Sequence, residues 1–136
     1  MSPDGDGTVH GFDHVSLPMQ DTDAMVAFYR SLGLQVAERP GVVSAYVGDQ
    51  MINLHRPEAW HDARFTLRAP AATPPCGDLC FVWEGSSESL RARLGQAGAE
   101  IEEGPVERQG GRGATGSSVY VRDPDGNLLE FLIYAG

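Results

Sequence analysis

Four side chains that can bind a divalent metal ion occur on predicted β-strands. Imidazole nitrogens and carboxylate oxygens are common ligands of such ions, and the four residues are His14, His55, Asp78 and Glu130. Taken singly, each has an ordinary explanation as a hydrogen-bonded histidine, a turn residue or a solvated carboxylate. Taken together they indicate one metal site, at which a bound ion would polarise an oxygen of a small molecule.

The elements that must position these residues occur twice along the chain. In the first copy, a strand within residues 9–19 precedes a helix over residues 21–33, and strands follow at residues 34–38, 42–47 and 51–54. The helix carries an apolar stripe at i, i+3, i+4 and i+7, starts at an acidic N-cap and stops at a glycine. This order of elements predicts a βαβββ module.

The same order returns after a proline-rich stretch. A strand over residues 77–83 precedes a helix over residues 86–98, and further strands are predicted at residues 101–103, 118–122 and 128–134. We therefore predict an α+β protein of two tandem βαβββ modules that form one structural domain. Its parts are a flexible tail (residues 1–8), a first module (9–56), a linker (57–76) and a second module (77–136). In this repeat His14 matches Asp78, and His55 matches Glu130.

Alternation along the strands places the four candidate ligands on one face. Apolar residues of the same strands have the opposite parity, so they should face the helices. These apolar residues are Val15, Leu17, Ile52, Leu54, Leu79, Phe81, Leu129, Phe131 and Ile133. The ligands should then lie in a concave cavity on the other face of the sheets.

Composition limits the partners of this chain. Its 136 residues are 41% hydrophobic, which is enough for one core. Nineteen acidic and ten basic residues give a net charge of -9, which disfavours nucleic acid and anionic membrane surfaces as partners. We find no targeting segment and no apolar run of about 18 residues, so we expect a cytoplasmic protein that acts on a small molecule.

Three sequence motifs resemble a known superfamily. They are residues 13–17 (DHVSL), residues 28–34 (FYRSLGL) and residues 123–130 (DPDGNLLE). Over about residues 10–134 the chain is similar to the vicinal oxygen chelate superfamily, which includes glyoxalase I, extradiol dioxygenases, fosfomycin-modifying enzymes, methylmalonyl-CoA epimerase and bleomycin-binding proteins. Residues 78–81 and 101–108 are similar to the branch related to glyoxalase domain-containing protein 5.

The resemblance implies a set of metal ligands. It assigns this role to His14, His55 and Glu130, and its fourth position is usually a histidine where this chain has Asp78. Three ligands would match the facial triad of Fe(II) enzymes, whereas Asp78 as a fourth would suit Mn(II), Ni(II), Co(II) or Zn(II). Asp78 can also orient a ligand or a bound water. The expected cofactor is one divalent ion among these five metals.

The resemblance also implies a reaction. We expect a glyoxalase-like lyase or isomerase whose substrate chelates the ion through neighbouring oxygens, with Glu130 as the general base. An Fe(II) extradiol-type dioxygenase is one alternative, and a non-catalytic protein that binds a drug or natural product is another. Because each module supplies two ligands, the site can form within one chain or across a dimer with exchanged modules, and we expect a homodimer.

Other residues are candidates for binding the substrate. They are Tyr46, Asn53, Trp60, Arg112 and Tyr120. The glycine-rich residues 108–116 have two possible roles. They can form a lid whose arginines grip an anionic substrate, or a plain solvated hairpin.

Overall fold

The computed structural model describes residues 5–135. Residues 1–4 of the predicted tail and residue 136 lie outside this range. Within residues 5–135, no helix is long and apolar enough to cross a membrane. The predicted pair of modules is confirmed, because two four-stranded sheets with the same connectivity follow each other along the chain.

The elements of the first module are β1 (His14–Pro18), α1 (Thr22–Ser31), β2 (Gln35–Arg39), β3 (Val42–Val47) and β4 (Gln50–His55). Its strand order is β1-β4-β3-β2, with β1 parallel to β4. The predicted strand over residues 9–19 is shorter in the structure, because residues 9–13 have no regular hydrogen bonding. Helix α1 begins at the predicted cap, where the Asp21 side chain accepts from the Ala24 backbone N–H.

The remaining elements are α2 (Pro57–Trp60), β5 (Asp78–Val82), α3 (Ser87–Gln96), β6 (Glu103–Gln109), β7 (Thr115–Arg122) and β8 (Leu128–Tyr134). Helix α2 is a single turn within the predicted linker. The second module repeats the arrangement of the first, with strand order β5-β8-β7-β6. Helix α3 is capped by Ser86, whose side chain accepts from the Ser89 backbone N–H.

The glycine-rich segment forms a β-hairpin rather than a separate lid. Strand β6 extends to Gln109 and β7 begins at Thr115, so only the residues between them form the turn. Gly110 allows the close approach of Tyr134, because a Cβ atom at this position would lie 2.1 Å from the tyrosine Oη. Of the two alternatives for residues 108–116, the structure forms the hairpin.

Both modules share one hydrophobic core. Buried side chains of α1 and α3 pack in the same cluster as the apolar face of each sheet. The apolar residues predicted to face the helices all belong to this cluster or pack against it. The parity prediction is therefore confirmed, and the opposite face of each sheet carries the polar residues.

A buried hydrogen bond joins the two modules. The Tyr29 hydroxyl of α1 donates to Asp123 Oδ2 at 2.6 Å, and Asp123 also accepts from the backbone N–H groups of Gly126 and Asn127. Burial, followed by the charge and hydrogen bond of Asp123, raises the pKa of Tyr29 well above its usual value. Asp125 of the same turn accepts from two backbone N–H groups of the first module, at 2.7 and 2.8 Å. The turn that leads into β8 is thus tied to the first module.

Candidate metal site

The polar face of the first sheet carries His14, Asn53 and His55. In the ladder between β1 and β4, His14 pairs with Met51, Ser16 with Asn53 and Pro18 with His55. The His14 side chain is 43% exposed, and its Nδ1 lies 2.6 Å from Asp13 Oδ1. This histidine is accessible, and its other ring nitrogen is available to an ion.

Asn53 is oriented by a chain of hydrogen bonds. Arg39 Nη2 donates to Ser44 Oγ at 2.5 Å, and Ser44 Oγ donates to Asn53 Oδ1 at 2.7 Å. Because Ser44 accepts from a cation, its own proton is left for the Asn53 oxygen. The Asn53 amide NH₂ therefore remains available as a donor on the polar face of the first sheet.

The polar face of the second sheet centres on Glu130. Ser118, which is fully buried, donates to Glu130 Oε2 at 2.6 Å. Glu130 pairs with Cys80 on one side and with Tyr120 on the other. Burial, followed by the charge of Glu130, raises the pKa of the Cys80 thiol to about 11, so this thiol is protonated at neutral pH. Asp78 lies two residues before Cys80 on the same face of the sheet.

The two modules meet at a cavity of about 540 Å³. His14 from the first module and Asp78 from the second both line it, together with Phe12, Met51, Leu79 and Phe81. This cavity brings together one candidate ligand from each module. His55 and Glu130 are not among its lining residues.

The strand register corrects the predicted repeat. His14 pairs with Met51 and Asp78 pairs with Leu128, so the residue two positions further along is Asn53 in β4 and Glu130 in β8. The expected match of His55 with Glu130 is therefore wrong, and Asn53 occupies the equivalent position. His55 and Glu130 are both residue types that bind metals, but the ladder determines which positions of the two modules are equivalent.

His55 lies at the next row of the ladder. Its ring packs edge-on against Phe65 with the ring centroids 5.0 Å apart. Burial, followed by the positive charge of Arg68, lowers the pKa of His55 below 6.5. The imidazole is therefore neutral at physiological pH, the form that binds a metal.

A single chain does not assemble the four candidate ligands into one site. Within residues 5–135, no three His, Cys, Asp or Glu side chains form a group that could hold a metal ion. The donor types fit a divalent ion, since the chain offers imidazole and carboxylate groups on two open polar faces.

The predicted substrate-binding residues have different surroundings. Tyr46 pairs with Met51 on the face of His14 and is 39% exposed. The Trp60 indole donates to the Met19 carbonyl and stacks on His61, so its N–H is engaged in packing the linker. Arg112 lies 4.5 Å from the Tyr134 ring, on the hairpin.

Two residues of the second polar face, Cys80 and Ser118, were absent from the predicted site. The parity of the strands provides a signal for both, since they alternate with core residues. Arg108 was predicted only as part of a possible lid that grips an anionic substrate, because β6 was predicted to end at residue 103. In the structure it lies on β6, and its Nε donates to Tyr120 Oη at 3.0 Å.

Comparison with known proteins places this chain in a family. A family model for the glyoxalase/bleomycin resistance protein/dioxygenase superfamily matches residues 11–131. The chain belongs to this superfamily. Glyoxalase domain-containing protein RDO1 of Mycosarcoma maydis is 36% identical over 128 residues, which cover 93% of this chain and 70% of that protein.

Two further proteins are similar to this chain in sequence and structure. Virulence protein STM3117 of Salmonella typhimurium (strain LT2) is 38% identical over 124 residues, covering 90% of this chain and 83% of that protein. Its crystal structure has a TM-score of 0.82 and covers 95% of this chain and 100% of that chain. Lactoylglutathione lyase from Agrobacterium tumefaciens is 26% identical with a TM-score of 0.69, over 93% of this chain and 96% of that chain. The resemblance to the vicinal oxygen chelate fold is confirmed.

Proposed function

We propose that this protein is a divalent-metal-dependent lyase or isomerase of the glyoxalase type. Its substrate would be a small molecule that chelates the ion through two neighbouring oxygens. The observation that carries the proposal is Glu130, a half-buried carboxylate on an open polar face, anchored through one oxygen by a buried serine. The similarity to a lactoylglutathione lyase supports the same class of reaction.

Four residues would hold the ion, namely His14, His55, Asp78 and Glu130. A bound divalent ion supplies Lewis acidity to the chelating oxygens of the substrate. Since a single chain does not bring the four together, the site would be completed by a second copy, with the polar face of one module opposite that of the other. The protein would then act as a homodimer.

Glu130 is the proposed general base. Its Oε2 accepts from Ser118. The other carboxylate oxygen can accept a proton from the substrate carbon while Ser118 holds the side chain in place. The Asn53 amide NH₂ can donate to a substrate oxygen on the opposite face, because the Arg39 and Ser44 chain keeps its own oxygen occupied.

A second candidate is an Fe(II)-dependent dioxygenase. The observation that favours it is the position of two imidazoles, His14 and His55, on the same polar face of the first sheet. With Glu130 they would supply two imidazoles and one carboxylate, the facial triad that suits Fe(II). Oxygen consumption by iron-loaded protein with candidate catechols would distinguish this activity from isomerase chemistry.

Metal content measured by mass spectrometry tests both candidates. The protein would be purified without a metal-affinity tag, alongside His14→Ala and Glu130→Ala variants. His10→Ala and Glu100→Ala are matched controls, because both residues are exposed and lie outside the predicted site. We expect near-stoichiometric metal in the wild type and the controls and loss in both site variants. A folded wild-type protein without metal would contradict the proposal and would favour a ligand-binding protein without chemistry.

A further inference from the structure

We propose that Arg108 and Tyr120 form a subsite for an anionic group of the substrate, so that the substrate is a small acid. The inference rests on the proposed function of the metal site and deepens it. It concerns the polar face of the second sheet, where strands β6, β7 and β8 lie side by side.

The register places this pair beside the proposed base. Tyr120 of β7 is directly opposite Glu130 of β8. Arg108 of β6 pairs with Gly116, four residues from Tyr120 and on the same face of the sheet. The arginine side chain bridges that interval, since its Nε donates to Tyr120 Oη at 3.0 Å.

The hydrogen bonds leave donors unused on both Arg108 and Tyr120. Arg108 Nη1 donates to the Glu107 carbonyl at 2.9 Å, while Nη2 has no hydrogen bond to residues 5–135. Tyr120 Oη accepts from the guanidinium, so its own proton remains available. A carboxylate has two oxygens and can accept one hydrogen bond from each of these donors.

The charge of Arg108 is also not neutralised by direct contact. Four other arginines of the described range form ion pairs with carboxylates, namely Arg30, Arg56, Arg64 and Arg122. Arg108 has no such partner within residues 5–135, although Glu103 and Glu130 lie close enough for their charges to act on it. In a chain of net charge -9, a cation that a phenol holds beside the proposed base is suited to an anionic ligand.

A matched pair of chelators tests this subsite. Acetohydroxamate offers two neighbouring oxygens to a metal and carries no carboxylate, and succinohydroxamate adds a carboxylate to the same chelating group. The affinity of each would be measured by calorimetry on metal-loaded protein. The informative quantity is the ratio of the two dissociation constants, because the metal contributes equally to the binding of both chelators.

We expect the wild type to bind succinohydroxamate about tenfold more tightly than acetohydroxamate, as is typical of a charge-assisted contact. Arg108→Gln should reduce the ratio to about one while the affinity for acetohydroxamate stays unchanged. Tyr120→Phe should reduce the ratio in part, and Arg108→Lys should retain part of it because the charge is kept. Arg91→Gln is the control, since Arg91 is an exposed residue of α3.

The outcomes distinguish the subsite from the metal site. Binding of both hydroxamates with the same ratio in wild type and Arg108→Gln would overturn the subsite and leave the proposed function standing. Binding of neither hydroxamate to metal-loaded wild type would overturn the proposed function and the subsite with it. A ratio that falls only in the Arg108 and Tyr120 variants would establish the subsite.

Discussion

Ser118 Oγ donates to Glu130 Oε2 at a distance of 2.6 Å, from a side chain that has no solvent exposure. The serine lies on β7 and the glutamate on β8, so the bond crosses the ladder diagonally beside the Tyr120–Glu130 pair. The buried Ser118 hydroxyl therefore restricts the orientation of the Glu130 carboxylate, which faces the open side of the sheet. Loss of a residue that orients a metal ligand through a hydrogen bond commonly lowers the affinity for the metal.

Ser118→Ala should weaken metal binding by about 10- to 100-fold, the usual effect of removing a hydrogen bond to a ligand. The fold should persist, because alanine fits the space of serine. Metal affinity would be measured by titration with a competing chelator. Ser117→Ala is the control, as the neighbouring serine is exposed and faces the other side of β7. Equal affinity in both variants would show that Glu130 does not depend on Ser118.

Tyr29→Phe should destabilise the protein by about 1–2 kcal/mol, because the buried Asp123 carboxylate loses a hydrogen bond from the other module. Urea unfolding would measure this loss. Tyr46→Phe provides the comparison, since Tyr46 is partly exposed. If the free energy of unfolding falls no more in Tyr29→Phe than in Tyr46→Phe, the Tyr29 hydroxyl does not stabilise the contact between the modules.

The stability of the wild type should also fall at high pH because of Tyr29. Its pKa is raised in the folded state by burial and by Asp123, so above a pH of about 10 the unfolded chain releases a proton that the folded chain retains. Stability is therefore fully present below this pH and is lost as the pH rises further. The fall between pH 10 and 11 should be smaller in Tyr29→Phe, and parallel curves for the two proteins would contradict the assignment.

The metal-free protein should show a His55 pKa below 6.5 in an NMR titration. Burial lowers this pKa first and Arg68 lowers it further, so Arg68→Gln should move it upward. Arg64→Gln should have no effect, since Arg64 is paired with Asp62 on the surface. Because the folded pKa is depressed, His55 contributes stability above pH 6.5 that is lost as the pH falls through the folded pKa. An unchanged titration in Arg68→Gln would exclude this arginine as a cause.

Asn53→Asp should tighten divalent metal binding at least about tenfold, because it places a carboxylate at the position equivalent to Glu130. Gln96→Glu adds the same charge at an exposed position of α3, remote from the candidate ligands, and should change the affinity little. Titration with a competing chelator would measure the metal affinity of these two variants and of His55→Ala. Loss of metal in His55→Ala without a gain in Asn53→Asp would assign the ligand role to His55.

Much of the fold could be predicted from local pattern. The repeat of strand and helix periods identified both modules, and alternation within each strand separated the core residues from His14, Asp78 and Glu130. These features depend on the residues of one element at a time. The same holds for the capping of α1 and α3 by Asp21 and Ser86, since each cap bonds within its own first turn.

The tertiary structure alone decided which residues lie next to each other across strands. It gave Asn53 rather than His55 the register position equivalent to Glu130, and it extended β6 so that Arg108 reaches Tyr120. It also brought the Trp60 ring against His61 and the Arg112 side chain against Tyr134. The physical reason is that strand register and cross-strand contacts depend on pairing between distant segments. Residue types within one segment specify which face a side chain occupies, but not its partner on the next strand.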